Sequence, residues 1–344
     1  MELVRAVRTD DLDELWTLIT QATYGLTTLQ IDKEQLSERV ENSVFAFGRK
    51  TEKASGEPYV FVMEDTSIGR LVGLSCIFSK TGGYQPFYSY RRVRENNYCK
   101  ALDRAQEVEF LQLEKIHDGP TEIGSLFLLP SYRAQGRGRL LSLSRFAFIA
   151  AHPKRFDELI IAEMRGPMDD AGECLFWEAV GRHFFQMDFP QADSLSTINK
   201  RFIEDLMPKH PIYTCLLPEA AREALGDVHV HTRPALTMLL DEGFEKCDWI
   251  DIFDGGPVVR CEREKIDAVR RTRSLTVRAI GKSEETAVET KILISFARSF
   301  SAIIGPVSEG TDGTACISEL VAATLQLRVG DKIYVLALKP EGGT

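Results

Sequence analysis

The chain has 344 residues, 44% hydrophobic and 27% charged, a folded-protein composition with room for about two domains. Its 51 acidic against 42 basic residues leave a net charge of −9. That argues against sequence-independent nucleic-acid binding, which runs on phosphate neutralisation, but leaves room for a local basic pocket for a small polyanion. No apolar run approaches the ~20 residues of a membrane span, and the charged start lacks the apolar segment of a signal peptide. Seven scattered cysteines without Cys-x-x-Cys spacing read as reduced thiols in a cytoplasmic chain.

In chain order, Leu3–Val7 reads as a strand. Thr9-Asp10-Asp11 then supplies N-cap chemistry for a helix over Asp11–Ala22. Leu36, Val40, Val44 and Phe47 mark one stripe of a second helix, Asp32–Phe47. Pro58–Glu64 and Arg70–Phe78 form a hairpin around the turn Asp65–Gly69. Residues 79–120 read as an insertion with some strand. Ile123–Leu129 is a strand stopped by Pro130. Ser131–Gly138 is a glycine-containing loop, and a helix starts near Arg139 and runs to Ala151. Glu158–Met164 is a strand, and Glu173–Val180 a helix ending at Gly181. Lys209–Leu217 reads as extended, Pro218–Leu225 and Pro234–Glu242 as helices, and Asp248–Phe253 as a strand. Asp227–Thr232 alternates apolar and polar residues around His229 and His231. After the basic stretch Arg270–Arg273 only strand candidates remain: Leu275–Ile280, Lys291–Phe296, Ser301–Ile304 and Lys332–Leu338. They predict a small all-β, barrel-like domain over 271–344, behind a first domain over 1–270.

The chemically informative stretch runs from Leu126 through Arg133-Ala-Gln135-Gly136-Arg137-Gly138-Arg139. It lies between a strand and a helix, so successive N–H groups at the helix start can cradle a phosphate. Gly136 and Gly138 allow close backbone approach, and Arg133, Arg137 and Arg139 add positive charge. A dinucleotide fingerprint fails because its third glycine position is Leu141. A Walker loop at Gly281-Lys282-Ser283 fails because position 276 is Thr, which leaves a polar turn. The loop does fit, at every position, the Arg/Gln-x-x-Gly-x-Gly/Ala pattern of GCN5-related N-acetyltransferase-type enzymes.

With that loop in place, further stretches resemble the arginine N-succinyltransferase family. They are Tyr24-Gly-Leu-Thr-Thr-Leu29, Tyr59–Asp65, Ala162-Glu-Met-Arg-Gly166, Phe176-Trp177, Arg182–Phe189, Leu206–Tyr213, Gly226-Asp-Val-His229 and Ile250-Asp-Ile-Phe-Asp-Gly-Gly-Pro257. The resemblance covers residues 1 to about 260. It implies an α+β fold with a GCN5-related acyltransferase-type mixed sheet flanked by helices. It implies transfer of succinyl from succinyl-CoA, as co-substrate and not as resident cofactor, to the α-amine of L-arginine. It also implies that His229 is a proton donor and that Leu126 contacts succinyl-CoA. The partners expected are these two substrates and further copies of the chain or a homologous subunit, with no nucleic acid and no membrane.

Direct acyl transfer needs a group that handles protons near neutral pH, which suits His229, and an N–H on the Leu126–Leu128 strand for the thioester oxygen. No third ligand accompanies His229 and His231, so no metal is expected. No cysteine sits beside a recognisable base motif, and Cys174 and Cys215 read as core or surface thiols. Arg165 is the candidate for the succinyl carboxylate. Glu163, Asp251 and Asp254 are candidates for the guanidinium. Each of these four has the alternative of a solvated charge or structural ion pair. The aromatic stretch Tyr84–Tyr90 either walls the acceptor pocket or packs in the core. The rival readings are an ornithine or other amine acyltransferase, and a non-catalytic homologous subunit.

Overall fold

The computed structural model describes residues 1–21, 31–50, 53–83, 85–169, 173–198, 201–281 and 288–338. The Tyr24–Leu29 stretch, Tyr84, Lys282 and Ser283 lie outside the described residues.

The chain opens with β1 (Glu2–Ala6), α1 (Leu12–Thr20) and α2 (Lys33–Gly48). Asp11 does not cap α1 with its side chain: the carboxylate is engaged at 2.7 Å by the Arg5 guanidinium and at 2.7 Å by the Arg8 N–H. Asp32 does cap α2, accepting the Gln35 N–H at 2.8 Å while Gln35 Oε1 accepts the Asp32 N–H at 3.0 Å. The stripe that α2 buries is Leu36, Val40, Ser43 and Ala46; Val44 is 37% exposed, because the 3.6-residue period carries it off the face that Val40 sets.

Next come β2 (Pro58–Asp65), β3 (Arg70–Phe78), and a long hairpin of β4 (Phe87–Cys99) and β5 (Arg104–Ile116) that occupies most of 79–120. β6 (Thr121–Leu128), α3 (Arg137–Ala151) and β7 (Leu159–Glu163) follow. Gly181 does not end the next helix. A π turn over Trp177–Gly181 runs on into α4 (Arg182–Phe185), and a Cβ at 181 would run into the Trp177 indole, so the glycine is what lets the turn fold over that ring.

Then come α5 (Phe189–Ile198), α6 (Arg201–Leu206), β8 (Ile212–Tyr213), α7 (Glu219–Ala224) and α8 (Arg233–Asp241). The Asp227–Thr232 segment between α7 and α8 is a loop and turn, not a strand. β9 (Glu245–Ile250), β10 (Pro257–Glu262) and α9 (Asp267–Arg271) complete this part. The remainder is β11 (Arg273–Ile280), β12 (Glu289–Ser295), β13 (Ser301–Glu309), β14 (Thr314–Ile317), α10 (Glu319–Leu325) and β15 (Lys332–Ala337). The last part is therefore not strand alone: Ser318 caps α10 by accepting the Val321 N–H at 3.2 Å.

The fold is α+β. The strand order is β12-β15-β11-β14-β13-β1-β2-β3-β6-β7-β10-β9-β4-β5-β8, antiparallel except at β11–β14 and β6–β7. β12 also pairs with β13, so the last five strands close into a barrel around Leu275, Val277, Leu293 and Ile303 with α10 as a plug. β1 joins barrel to sheet through β13, and Ile292, Ile294, Ala302 and Leu336 share a core with Val4 and Phe61. Helix α3 packs in that core on one face of the sheet. Leu15, Leu18, Leu36 and Val40 of α1 and α2 cover Val60, Val62, Leu74 and Phe127 in a separate apolar cluster. Trp177, Phe185, Phe189 and Ile203 pack against Tyr88, Tyr90 and Ile250 in a further cluster.

Candidate active site

The site begins with a defect in β6. Leu74 on β3 faces Phe127, but Cys76 faces Gly124, so Ser75 alone opposes Ser125 and Leu126. Ser125 takes φ +52°, a left-handed conformation unusual for a side-chain-bearing residue. On the other side, β6 pairs in parallel with β7 only at Thr121–Ile160 and Glu122–Ile161. Beyond Glu122 the ladder stops, and the C-terminal halves of two parallel strands carry backbone N–H and C=O groups that do not pair with each other. Leu126 sits in this segment, its side chain partly buried against the core under α3.

β6 leads into the basic loop. Gln135 (φ +57°) and Gly136 (φ +75°) turn the chain into α3. The helix starts at Arg137, so Gly138 and Arg139 lie in its first turn, where N–H groups have no acceptor one turn back. Arg133 Nε donates to the Leu128 carbonyl at 2.9 Å and ties the loop to the end of β6. Arg137 Nε is held by Glu2 at 2.7 Å, over the Tyr132 ring. What this loop could offer an anion is therefore mainly its backbone donors and the helix dipole, with Arg133 and Arg139 beside them in sequence.

Past the end of β7 lies a buried charge cluster. Arg165, whose sequence position suggested a partner for a substrate carboxylate, meets two of the protein's own carboxylates. Its Nη1 is 3.2 Å from Asp193, its Nε 3.6 Å from Asp254, and its guanidinium lies 4.6 Å from the Phe189 ring centre. Asp254 is thus an ion-pair partner of Arg165. Asp251 folds the β9–β10 turn: Oδ1 accepts the N–H groups of Phe253 and Asp254, both at 2.7 Å. Burial, with the neighbouring Asp254 charge, pushes the Asp251 carboxyl well above the ordinary carboxylate range. The turn lies so close to the end of β7 that a Cβ on Gly166 would meet the Asp254 carbonyl, and one on Gly256 the Met164 carbonyl.

His229 is docked on the same strand end. Its N–H donates to the Arg165 carbonyl at 2.8 Å, and its Nδ1 accepts the His231 N–H at 3.2 Å. That acceptor role places the proton of the neutral ring on Nε2. Burial, then His231 and Arg165, lower its pKa below the usual histidine value. His231 is exposed, its ring centre 5.2 Å away. Among the described residues no group of three or more His, Cys, Asp or Glu is placed to hold a metal ion.

The start of β6, the end of β7, α5 and the β9–β10 turn line a cavity of about 380 Å³, whose wall does not include Leu126, the 133–139 loop or His229. Glu122, Glu163, Asp193 and Asp251 supply carboxylates to its wall, Arg39 and Lys80 cations, and Phe87 and Tyr88 aromatic surface. A smaller extension lined by Glu163, Asp193 and Asp251 reaches Arg165 and Asp254. Of the aromatic stretch, Phe87 and Tyr88 face the cavity, while Tyr90 is core, edge-on to Phe176. All seven cysteines are free thiols, Cys174 buried and Cys215 exposed.

Sequence reasoning missed Asp193, Glu122 and Arg39. Asp193 rides on α5, whose start is signalled by Asp188 and by Pro190 in the first turn. Glu122 and Arg39 carry no local signal; the sheet register and the α2 packing bring them in.

The sequence pattern of the family described as arginine N-succinyltransferase beta subunit matches residues 2–268. The chain is 38% identical to arginine N-succinyltransferase subunit beta of Pseudomonas aeruginosa, over 98% of this chain and 99% of that one. It is 35% identical to an arginine N-succinyltransferase of Escherichia coli over the whole of both chains. The solved structure of arginine/ornithine succinyltransferase subunit AI from Pseudomonas aeruginosa superposes with a TM-score of 0.89 at 29% identity, covering 98% of each chain. No helix among the described residues is long and apolar enough to cross a membrane. The chain belongs to the arginine N-succinyltransferase family of acyltransferases.

Proposed function

We propose that the chain transfers the succinyl group of succinyl-CoA to the α-amine of L-arginine. The observation that carries this reading is the cavity walled by Glu122, Glu163, Asp193 and Asp251, which adjoins the opening between β6 and β7. Converging carboxylates in a partly buried pocket suit a guanidinium, which donates in a planar fork.

The geometry supports the following division of labour. The first turn of α3 takes the CoA pyrophosphate on the N–H groups of Gly138 and Arg139. The pantetheine arm enters between the C-terminal halves of β6 and β7. The thioester carbonyl lies at the β6 bulge, where a backbone N–H near Leu126 meets the oxyanion. Leu126 then acts through its main chain and shape. Glu163 and Asp251 hold the guanidinium, and Arg165 keeps Asp193 and Asp254 in place rather than touching substrate.

The uncharged α-amine attacks the thioester carbon. The tetrahedral intermediate collapses, the C–S bond breaks, the new amide nitrogen sheds its proton to water, and the sulfur takes one. His229 serves the sulfur: with Nδ1 accepting the His231 N–H, the neutral ring's Nε2–H stabilises the developing thiolate, which takes its proton from water. Because relatives are named as subunits, the working form includes further copies or a homologous chain.

Thiol release from succinyl-CoA and acetyl-CoA, each crossed with arginine, ornithine and lysine, tests the reading. Release that requires succinyl-CoA and arginine together supports it. Equal release with acetyl-CoA, or none with any pair from folded protein that binds CoA, overturns it.

A further inference from the structure

The buried stretch of α3, Leu140–Ile149, contains one charged residue, Arg145. It is 2% exposed, between the fully buried Ser144 and Phe146. Its guanidinium donates to three neutral acceptors: Nη1 to the Gly124 carbonyl at 3.3 Å, Nη2 to the Ser142 hydroxyl at 2.9 Å and Nε to the Ser142 carbonyl at 3.3 Å. Among the described residues no carboxylate pairs with it, whereas Arg5 and Arg165 are each held by two. Burial brings its pKa down to about 10, so the charge persists at neutral pH. A buried guanidinium without an acid is costly, and an apolar side chain would fill the same space in this core at less cost. The position of Arg145 shows what it acts on. Gly124 immediately precedes the Ser125 kink. One turn back on α3, the Leu141 carbonyl accepts from the hydroxyl of Ser75 at 3.5 Å, and Ser75 is the residue of β3 that opposes Ser125 and Leu126. Helix α3 therefore holds the bulge from both of its strands.

The Gly124 carbonyl and the Ser125 N–H belong to one trans peptide unit and point in opposite directions. Holding that carbonyl fixes where the Ser125 N–H points. The left-handed Ser125 then sets the next unit, which carries the Leu126 N–H. A charge-assisted hydrogen bond at a carbonyl also polarises its peptide unit and strengthens the N–H of that unit as a donor. We propose that Arg145 is a positioning residue for acyl transfer: its hold on the Gly124 carbonyl aims and polarises the backbone N–H that meets the thioester oxygen at the β6 bulge. The inference rests on the acyl-transfer reading above and names the side chain that shapes its oxyanion site. Arg145 is buried and outside the cavity wall, so it acts on the chemical step without touching either substrate. Its field reaches Cys76, opposite Gly124 on β3, so its charge also favours the negative charge that develops at the bulge.

The test measures kcat and KM with succinyl-CoA and arginine for the wild-type protein, Arg145→Met and Arg145→Lys. Rates are expressed per site that binds CoA, counted by titration, so misfolded protein does not mimic a loss. Arg145→Met lowers kcat about 10- to 100-fold while KM for each substrate stays within about 3-fold of wild type. Arg145→Lys keeps a charged donor for the Gly124 carbonyl and restores part of kcat. A purely structural role changes the melting temperature or the number of folded sites and leaves kcat per site unchanged, and that result overturns the inference. A loss confined to KM, or an Arg145→Lys protein no faster than Arg145→Met, overturns it as well. Should neither variant fold, the wild-type protein crystallised with the ketone analogue of succinyl-CoA, in which a methylene replaces the sulfur, decides: the ketone oxygen lies within hydrogen-bond distance of the Ser125 or Leu126 N–H, or the inference fails. A wild-type protein that releases no thiol from succinyl-CoA and arginine overturns the proposed function itself, a result distinct from an active wild type with an equally active Arg145→Met.

Discussion

Replacing Arg165 with Met tests whether this residue is structural. The side chain is 8% exposed, and Asp193 and Asp254 are 5% and 4% exposed. At an effective dielectric constant of about 20, charges 3.2 and 3.6 Å apart attract by about 5 kcal/mol each. Removing the guanidinium also removes its own desolvation cost, which offsets much of that sum. The stranded carboxylates have no such relief, and breaking a buried pair from one side costs about 3–5 kcal/mol. The loss carries a pH signature. Burial already raises the Asp193 carboxyl above its ordinary value, and without Arg165 it rises further. The native variant then binds more protons than the unfolded chain above about pH 4, so its stability relative to wild type falls as pH rises. Urea unfolding at pH 5.5 and pH 8 reads both effects. A loss of about 3 kcal/mol or more at pH 8, and less at pH 5.5, is expected. A loss below about 1 kcal/mol at both pH values would refute the argument and return Arg165 to the pool of substrate-binding cations.

Gly138→Ala separates folding from ligand binding. A Cβ there meets nothing within 4 Å, so the free protein gains about 0.5–1 kcal/mol from the helix substitution, while KM for succinyl-CoA rises several-fold if phosphate needs that close approach; unchanged KM removes Gly138 from the loop's function. His152, edge-on to Phe148 and Phe296, has its pKa lowered to about 4 by burial. Neutral His152 therefore contributes stability that is complete above about pH 6.5 and is lost as pH falls toward 4; with its partial exposure discounted this is about 1–2 kcal/mol, and His152→Phe removes that share of acid sensitivity in thermal melts at pH 7 and 4.5. Asp251→Asn keeps an Oδ1 acceptor for the Phe253 and Asp254 N–H groups, so it folds, yet KM for arginine rises about 10-fold or more while KM for succinyl-CoA changes little. Because burial raises the Asp251 pKa, a guanidinium binds best once that carboxyl ionises. Wild-type KM for arginine accordingly falls with rising pH, and the variant lacks this dependence.

The sequence made the strands and the phosphate loop legible because both depend on local patterning. Pro58–Glu64 is dense in β-formers, and Arg133–Gly138 is one continuous run between a strand and a helix. The barrel was legible as strands without its helix, since α10 is a single capped stretch of seven residues with no long periodic face. The alternation at 227–232 belongs to a loop with Val228 tucked into the core, not to a pleat. The site divides in the same way. His229 and Asp251 stand in recognisable runs. The pairing of Arg165 with Asp193 joins residues 28 positions apart through α5, and Arg39 meets Glu122 across helix and sheet. Nothing local in the sequence encodes those meetings. The β6 kink at Ser125 is equally silent, because its left-handed backbone is set by the mismatch with β3 and not by a glycine.

The most direct measurement incubates the purified chain with succinyl-CoA and arginine carrying ¹⁵N only at the α-amine, and reads the product by fragmentation mass spectrometry, with His229→Ala alongside. The account predicts a succinyl group on the labelled nitrogen, formed by wild type and slowed about 10²- to 10⁴-fold in the variant. A product succinylated on the guanidinium, or a variant as fast as wild type, would contradict it.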